Sequence, residues 1–195
     1  MNGWTDEKII ELIRSRLSTE RFAHSLNVAN SARELAERYG ADADKAYTAG
    51  LLHDVMKNAA PEEQLGLISS AEIELMPAEK ANQKLWHAIA GAAYIKFVMG
   101  INDRDLLRAV RYHTTGRAEM STLEKCVYLA DFISAERKYN GVDEMRRLCM
   151  ISMEDAIIYA LRFEIPDLVE RGQVIHPDSI DLYNEVMINR TRRKA

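Results

Sequence analysis

Apolar residues recur at spacings of three and four along nearly the whole chain, and alternating runs of β-branched residues are missing, so the pattern predicts an all-α fold. A first helix starts from the N-cap Thr5, with Asp6 and Glu7 in its first turn and Ile9, Ile10, Leu12, Ile13 and Leu17 on one side. A second begins near Thr19 and stops at Gly40, a residue suited to the left-handed position that closes a helix. Its apolar face holds Phe22, Leu26, Ala29, Ala32, Leu35, Ala36 and Tyr39. A third, from about Ala43 to Asn58, is crowded with Ala46, Ala49 and Gly50, which let a neighbouring backbone come close. Pro61 suits the first turn of another helix, and an irregular stretch follows around Met76 and Pro77. Helices are then predicted from about Asn82 to Met99, closed by Gly100, and from Asp103 to about Tyr112. Ser121-Thr122-Leu123-Glu124 matches a capping box, so a helix opens at Thr122. Ser152 opens the next, which Pro166 should kink or end. His176-Pro177-Asp178-Ser179 leads into a last helix that finishes in the basic tail Arg190 to Lys194, expected to be solvated and frayed.

Composition narrows the class of protein. A length of 195 residues suits a single domain spanning 1–195, with the short basic tail from about 190 appended to it. With 47% hydrophobic and 29% charged residues, and only 9 Gly and 4 Pro, disorder and low complexity drop out. The 30 acidic residues against 26 basic ones give a net charge of -4, which argues against a surface that holds a nucleic-acid polymer. A locally basic pocket for a small phosphorylated ligand remains open. Cys126 and Cys149 form no CxxC pair, which fits a reducing cytoplasm. The N-terminus has no basic and apolar leader, and no apolar run approaches about 18 residues, so neither a signal peptide nor a membrane span is expected.

The candidate chemistry lies in histidines and aspartates on apolar helices. His53 and Asp54 end the run Ala49-Gly50-Leu51-Leu52-His53-Asp54-Val55, and a buried carboxylate there requires a partner or a cation. Asp131, in Tyr128-Leu129-Ala130-Asp131-Phe132-Ile133, repeats the situation, and His24 points inward beside Val28 and Leu35. Two imidazoles and two carboxylates suit iron, manganese or zinc. His87, flanked by Ala88, Ala90 and Gly91, and His113, at a helix end, could hold a second ion or a phosphate. Each residue also has an ordinary explanation: a core histidine with a partner, a helix-dipole contact for His113, an end cap for Asp54, an arginine partner for Asp131. One cation accounts for all of them at once.

His24, His53-Asp54 and Asp131 resemble the ligand pattern of the HD-domain metal-dependent phosphohydrolases, which implies an HD-type helical bundle. Arg21-Phe22-Ala23-His24-Ser25-Leu26-Asn27-Val28-Ala29, Lys45 to Asp54, His113-Thr114-Thr115-Gly116, Tyr128-Leu129-Ala130-Asp131 and Ile180-Asp181-Leu182-Tyr183-Asn184 are similar, over nearly the whole chain, to the YqeK-type symmetrical bis(5′-nucleosyl)-tetraphosphatases. Phe22 departs from the tyrosine common there, which removes a hydroxyl but no ligand. The resemblance implies a homodimeric, iron-binding hydrolase that cuts diadenosine tetraphosphate into two ADP, with one or two ions. It implies His24, His53, Asp54 and Asp131 as metal ligands, and Asp54, Lys57, His87 and His113 in catalysis. Nucleotide contacts would come from Arg21, the run Asp54, Val55, Met56 and Lys57, from His87, His113, Thr114 and Arg137, and from Ile175, His176, Pro177 and Asp178.

Spacing supports part of this. Arg21 and His24 are i and i+3, and His53 and Lys57 are i and i+4, so each cation projects beside an expected ligand. Arg137, six residues beyond Asp131, reaches the same place only if its helix ends near Ala135. His176, ahead of Pro177, should be extended, either facing a phosphate or ribose or exposed at an ordinary helix entry. Other readings are a related phosphohydrolase acting on nucleoside monophosphates or guanosine alarmones, and a non-catalytic nucleotide-binding domain. The alarmone enzymes carry a Glu-Asp pair soon after the His-Asp, whereas Val55-Met56-Lys57-Asn58 stands here.

Overall fold

The computed structural model describes residues 3–192 of the chain, so the end of the basic tail lies outside the described residues. These hold eleven α-helices and no strand: α1 (Asp6–Arg16), α2 (Thr19–Tyr39), α3 (Ala43–Leu52), α4 (Pro61–Ser70), α5 (Pro77–Ala81), α6 (Trp86–Ala93), α7 (Arg104–Arg111), α8 (Thr122–Ile133), α9 (Val142–Cys149), α10 (Met153–Glu170) and α11 (Pro177–Arg192). Local chemistry sets the boundaries as expected. Thr5, Asp103 and Ser152 accept backbone N–H groups as N-caps, Ser121 and Glu124 form a reciprocal capping box, and Gly40 closes α2 in the left-handed conformation.

Helix α2 packs against α3 and α8, α3 and α8 each pack on α7, and α7 meets α6, which surrounds a core containing Ile13, Leu35, Leu51, Ile89, Leu106 and Leu129. The backbones of α2 and α3 come together at Gly50, where a Cβ would lie 2.6 Å from Ala29 Cα. The small residues of α3 therefore do what their spacing suggests, and this approach carries the end of α3 up to α2.

Several boundaries differ from expectation. Helix α3 stops at Leu52, not Asn58, and residues 53–58 continue in tight turns with Val55 N–H bonded to Leu52 O (3.1 Å) and Lys57 N–H to Asp54 O (2.8 Å). His53 and Asp54 thus leave the helix where it ends, which turns them into the interior. The stretch predicted as one helix from Asn82 to Met99 is a 3₁₀ turn (Gln83–Leu85), then α6, then a π-helical turn (Tyr94–Val98). Residues Pro77–Ala81 are helical rather than irregular. Helix α9 follows no recognised N-cap; Gly141 opens it at φ +96° and its buried residues Val142, Met145 and Cys149 hold it against α8 and α10. Helix α10 runs through Pro166 to Glu170, and that proline is exposed, so the hydrogen bond it removes faces water. The tail is more ordered than expected as far as Arg192: Arg190 lies in α11 and pairs with Asp155 at 3.3 Å.

Candidate metal centre

Four histidines converge from four parts of the chain: His24 on α2, His53 at the end of α3, His87 in α6 and His113 just beyond α7. All four are buried. In three of them Nδ1 lies 2.7 Å from the carbonyl three residues earlier, His53 on Gly50, His87 on Lys84 and His113 on Val110. A carbonyl can only accept, so Nδ1 carries the proton and the Nε2 lone pair is left to face inward. His24 repeats this with a carboxylate, its Nδ1 lying 2.5 Å from Glu136 Oε1.

The inward atoms meet one another and two aspartates. His24 Nε2 is 3.1 Å from Asp131 Oδ1; His53 Nε2 is 3.5 Å from Asp54 Oδ2; His87 Nε2 is 3.2 Å from Asp54 Oδ1 and 3.2 Å from His113 Nε2. Buried His24 Nε2, His53 Nε2 and Asp54 Oδ1 make no hydrogen bond among the described residues. Lone pairs and carboxylate oxygens aimed at a common interior repel unless a cation lies between them. Two sets have ligand atoms all within 4.8 Å of one another: His24, His53 and Asp131, and His53, Asp54 and His113. Asp54 faces the first imidazoles with Oδ2 and the second with Oδ1. Such nitrogen and oxygen donors fit a divalent cation of borderline character.

Electrostatics agree with an anionic centre ringed by cations. Burial would raise the Asp54 carboxyl, yet His53, with contacts from His113 and His87, holds it well below the usual carboxylate range. Asp131 is lowered too, His24, His53 and Arg137 outweighing its burial. Burial pushes the His113 imidazole down to about 4 and also lowers His87. Arg21 pairs with Asp54 Oδ2 at 2.8 Å, and Lys57 Nζ lies 3.1 Å from His87 Nε2 and 3.8 Å from Asp54 Oδ1. Helix α8 ends at Ile133, which meets the condition set for Arg137: its Nε donates to Asp131 O at 2.8 Å and its guanidinium pairs with the Asp131 carboxylate. An arginine partner and a place in the cluster are therefore both true of Asp131.

Other expected site residues lie elsewhere. The Val55 and Met56 side chains belong to the core, and the Val55 backbone is committed to Leu52 and to Arg16, so neither side chain can face a nucleotide. His176 is buried rather than exposed, with Nδ1 accepting the Asp178 N–H at 3.1 Å and Nε2 3.4 Å from Glu79, which also pairs with Arg111. Thr114 and His176 line one cavity of about 240 Å³, so that segment does open toward the Thr114 side of the centre. Thr114 Oγ1 is 3.1 Å from His113 Nε2. Sequence reasoning missed Glu136, which accepts from Asn27 and Ser134 besides meeting His24. It lies beyond the end of α8, where helical spacing says nothing.

Fold and site together define an all-helical protein with a buried histidine and aspartate centre for a divalent cation. Known proteins agree. The HD domain family matches residues 21–136. The protein of Bacillus subtilis (strain 168) named symmetrical bis(5′-nucleosyl)-tetraphosphatase is 38% identical over 180 residues, covering 91% of this chain and 95% of that one. Its namesake from Halalkalibacterium halodurans is 36% identical over 93% of this chain and 96% of its own. A crystal structure from Clostridium acetobutylicum, described as a predicted HD superfamily hydrolase involved in NAD metabolism, is 34% identical and superposes with a TM-score of 0.92 over 95% of this chain and 98% of that one. The chain belongs to the HD-domain family and, within it, to the family of these symmetrical tetraphosphatases. Among the described residues, no helix is long and apolar enough to cross a membrane.

Proposed function

We propose that the chain is a metal-dependent hydrolase that cleaves diadenosine tetraphosphate at its central anhydride into two ADP. The observation that carries this is the convergence of four inward Nε2 atoms on Asp54 and Asp131 beneath Arg21, Lys57 and Arg137. His24, His53, Asp54 and Asp131 would hold the cation, and the mixed imidazole and carboxylate set favours iron, with manganese and zinc as the other candidates. When bound, such an ion supplies Lewis-acid polarisation of a phosphoryl oxygen and a water of lowered pKa.

The residues do the rest. Two aspartates offset one dication, so the charge of a tetraphosphate falls to Arg21, Lys57 and Arg137, which reach the centre from three directions. Burial lowers both His87 and His113, so each is neutral near pH 7 and its Nε2 accepts a hydrogen bond from the attacking water; His113, pushed down to about 4, is too weak a base to hold that proton. Thr114 sits against His113, within reach of the tetraphosphate. Glu136 keeps His24 in the tautomer that a ligand needs. Its side chain is 38% exposed, so Glu136→Ala is expected to keep the fold while metal affinity drops by about ten- to a hundredfold. Metal retained on dialysis against graded chelator reads this, and wild-type retention would contradict the role.

Product chromatography tests the reaction: two ADP, without ATP or AMP, from diadenosine tetraphosphate, abolished by chelator and restored by ferrous ion. The description of the Clostridium structure motivates a second substrate, since NAD is also a dinucleotide joined by an anhydride. Faster release of AMP and nicotinamide mononucleotide from NAD than of ADP from the tetraphosphate would overturn the proposal.

A further inference from the structure

A dinucleotide cut at its midpoint has a nucleoside on each side of the scissile bond, so one centre needs two nucleoside seats. The contacts expected around His176 supply one, in the cavity that reaches Thr114. A second, adjoining cavity of about 570 Å³ opens from the centre itself, lined by His113, Asp131 and Arg137, and shares Thr114, Glu164 and Asp167 with the first as a common wall. We propose that this second cavity is the seat of the other purine nucleoside, stacked on Phe132, Tyr139, Tyr159 and Phe163; the inference rests on the tetraphosphatase reading.

The lining has the chemistry of a purine site. A purine offers two stackable faces and a polar edge, and here an aromatic wall is accompanied by Asn140 and Glu164. Glu164 Oε2 accepts the buried Tyr128 hydroxyl at 3.1 Å, which fixes the carboxyl at the wall. Tyr159 and Phe163 meet edge to face with centroids 4.9 Å apart, and Phe163 stays 51% exposed on α10, an aromatic surface that the core does not use. The loop opposite is shaped around these rings. Gly141 adopts φ +96°, and a Cβ there would stand 2.6 Å from Tyr159 Oη and 3.7 Å from the Phe163 ring. Tyr139 Oη donates to Phe132 O at 3.1 Å, tying that loop to the end of α8. Arg137, bonded to Asp131, stands where a phosphate chain passing from the centre into the cavity needs a cation.

Phe163→Ala tests the seat, because the half-exposed ring can be removed without opening the core. Calorimetric titration with ADP is expected to give two equivalents per chain for the wild type and one for the variant. The KM for diadenosine tetraphosphate should rise roughly tenfold, the cost of one base stacked on an aromatic ring. The KM for adenosine 5′-tetraphosphate, whose single nucleoside can take the His176 side, should not move. Phe163→Tyr, which keeps a stacking face, should restore both the second ADP and the KM. Two ADP equivalents and an unchanged KM in Phe163→Ala, or equal rises on both substrates, would overturn the seat. A wild-type chain that leaves diadenosine tetraphosphate intact would instead sink the functional reading on which the seat rests.

Discussion

Replacing Asp54 by alanine is expected to abolish turnover of diadenosine tetraphosphate while leaving the helices in place. Asp54 faces both imidazole groups, with Oδ2 toward His24 and His53 and Oδ1 toward His87 and His113. Its loss removes a ligand oxygen and also the anchor that Arg21 uses at 2.8 Å. Cation stabilisation of a phosphoryl transition state is worth several kcal/mol, so kcat should fall by about three orders of magnitude or more. The fold should survive for a specific reason. The Arg21 side chain is one-third exposed and can turn to water, and removing Asp54 also removes a carboxylate that is costly to bury. Metal content by mass spectrometry, product chromatography and a melting curve read the three parts separately. Undiminished turnover would remove Asp54 from the mechanism; a collapsed melting curve would make it a structural residue.

Gly50→Ala is expected to be strongly damaging although it adds a single methyl group. Alanine is the better helix former by roughly 0.5–1 kcal/mol, so propensity alone predicts a gain. The new Cβ would lie 2.6 Å from Ala29 Cα and 2.9 Å from Ala29 N, backbone atoms that cannot rotate away, so α2 and α3 must separate. Overpacking of this kind costs about 1–3 kcal/mol and outweighs the gain, lowering the melting midpoint by several degrees in a chain of this size. Activity should fall further than stability does, because the displaced peptide is the one whose carbonyl holds His53 Nδ1 at 2.7 Å. Gly66→Ala is the control: that glycine is exposed in α4 with nothing within 4 Å of the new methyl, so propensity acts alone and the melting midpoint should rise. A wild-type melting curve for Gly50→Ala would show that the two helices are not in forced contact.

How far the chain could be read in advance depended on the range of the interaction. Helical periodicity and caps are local, and Thr5, Asp103, Ser121 with Glu124, and Ser152 act at the positions their chemistry suggested. Where packing overrides propensity the reading fell short: α9 has a glycine start and no side-chain cap, and of the two outcomes expected at Pro166 the helix end does not occur, α10 continuing because the missing bond lies on a wet face. The early end of α3 was also hidden, since it follows from the turn that swings His53 and Asp54 inward.

The site divides in the same way. Carboxylates and imidazoles in apolar runs announce themselves in the chain, because burying an unpaired charge is expensive wherever it occurs. His24, His53, Asp54 and Asp131 were legible on that ground, and so was the need for a cation. Their partners were not. Glu136 behind His24, Glu79 against His176, and the aromatic wall contributed by α8, α10 and the loop between α8 and α9 are brought together by chain reversals. Linear spacing carries no record of distances across such reversals; they exist only once close packing, as at Gly50 on Ala29, has set the helices against one another.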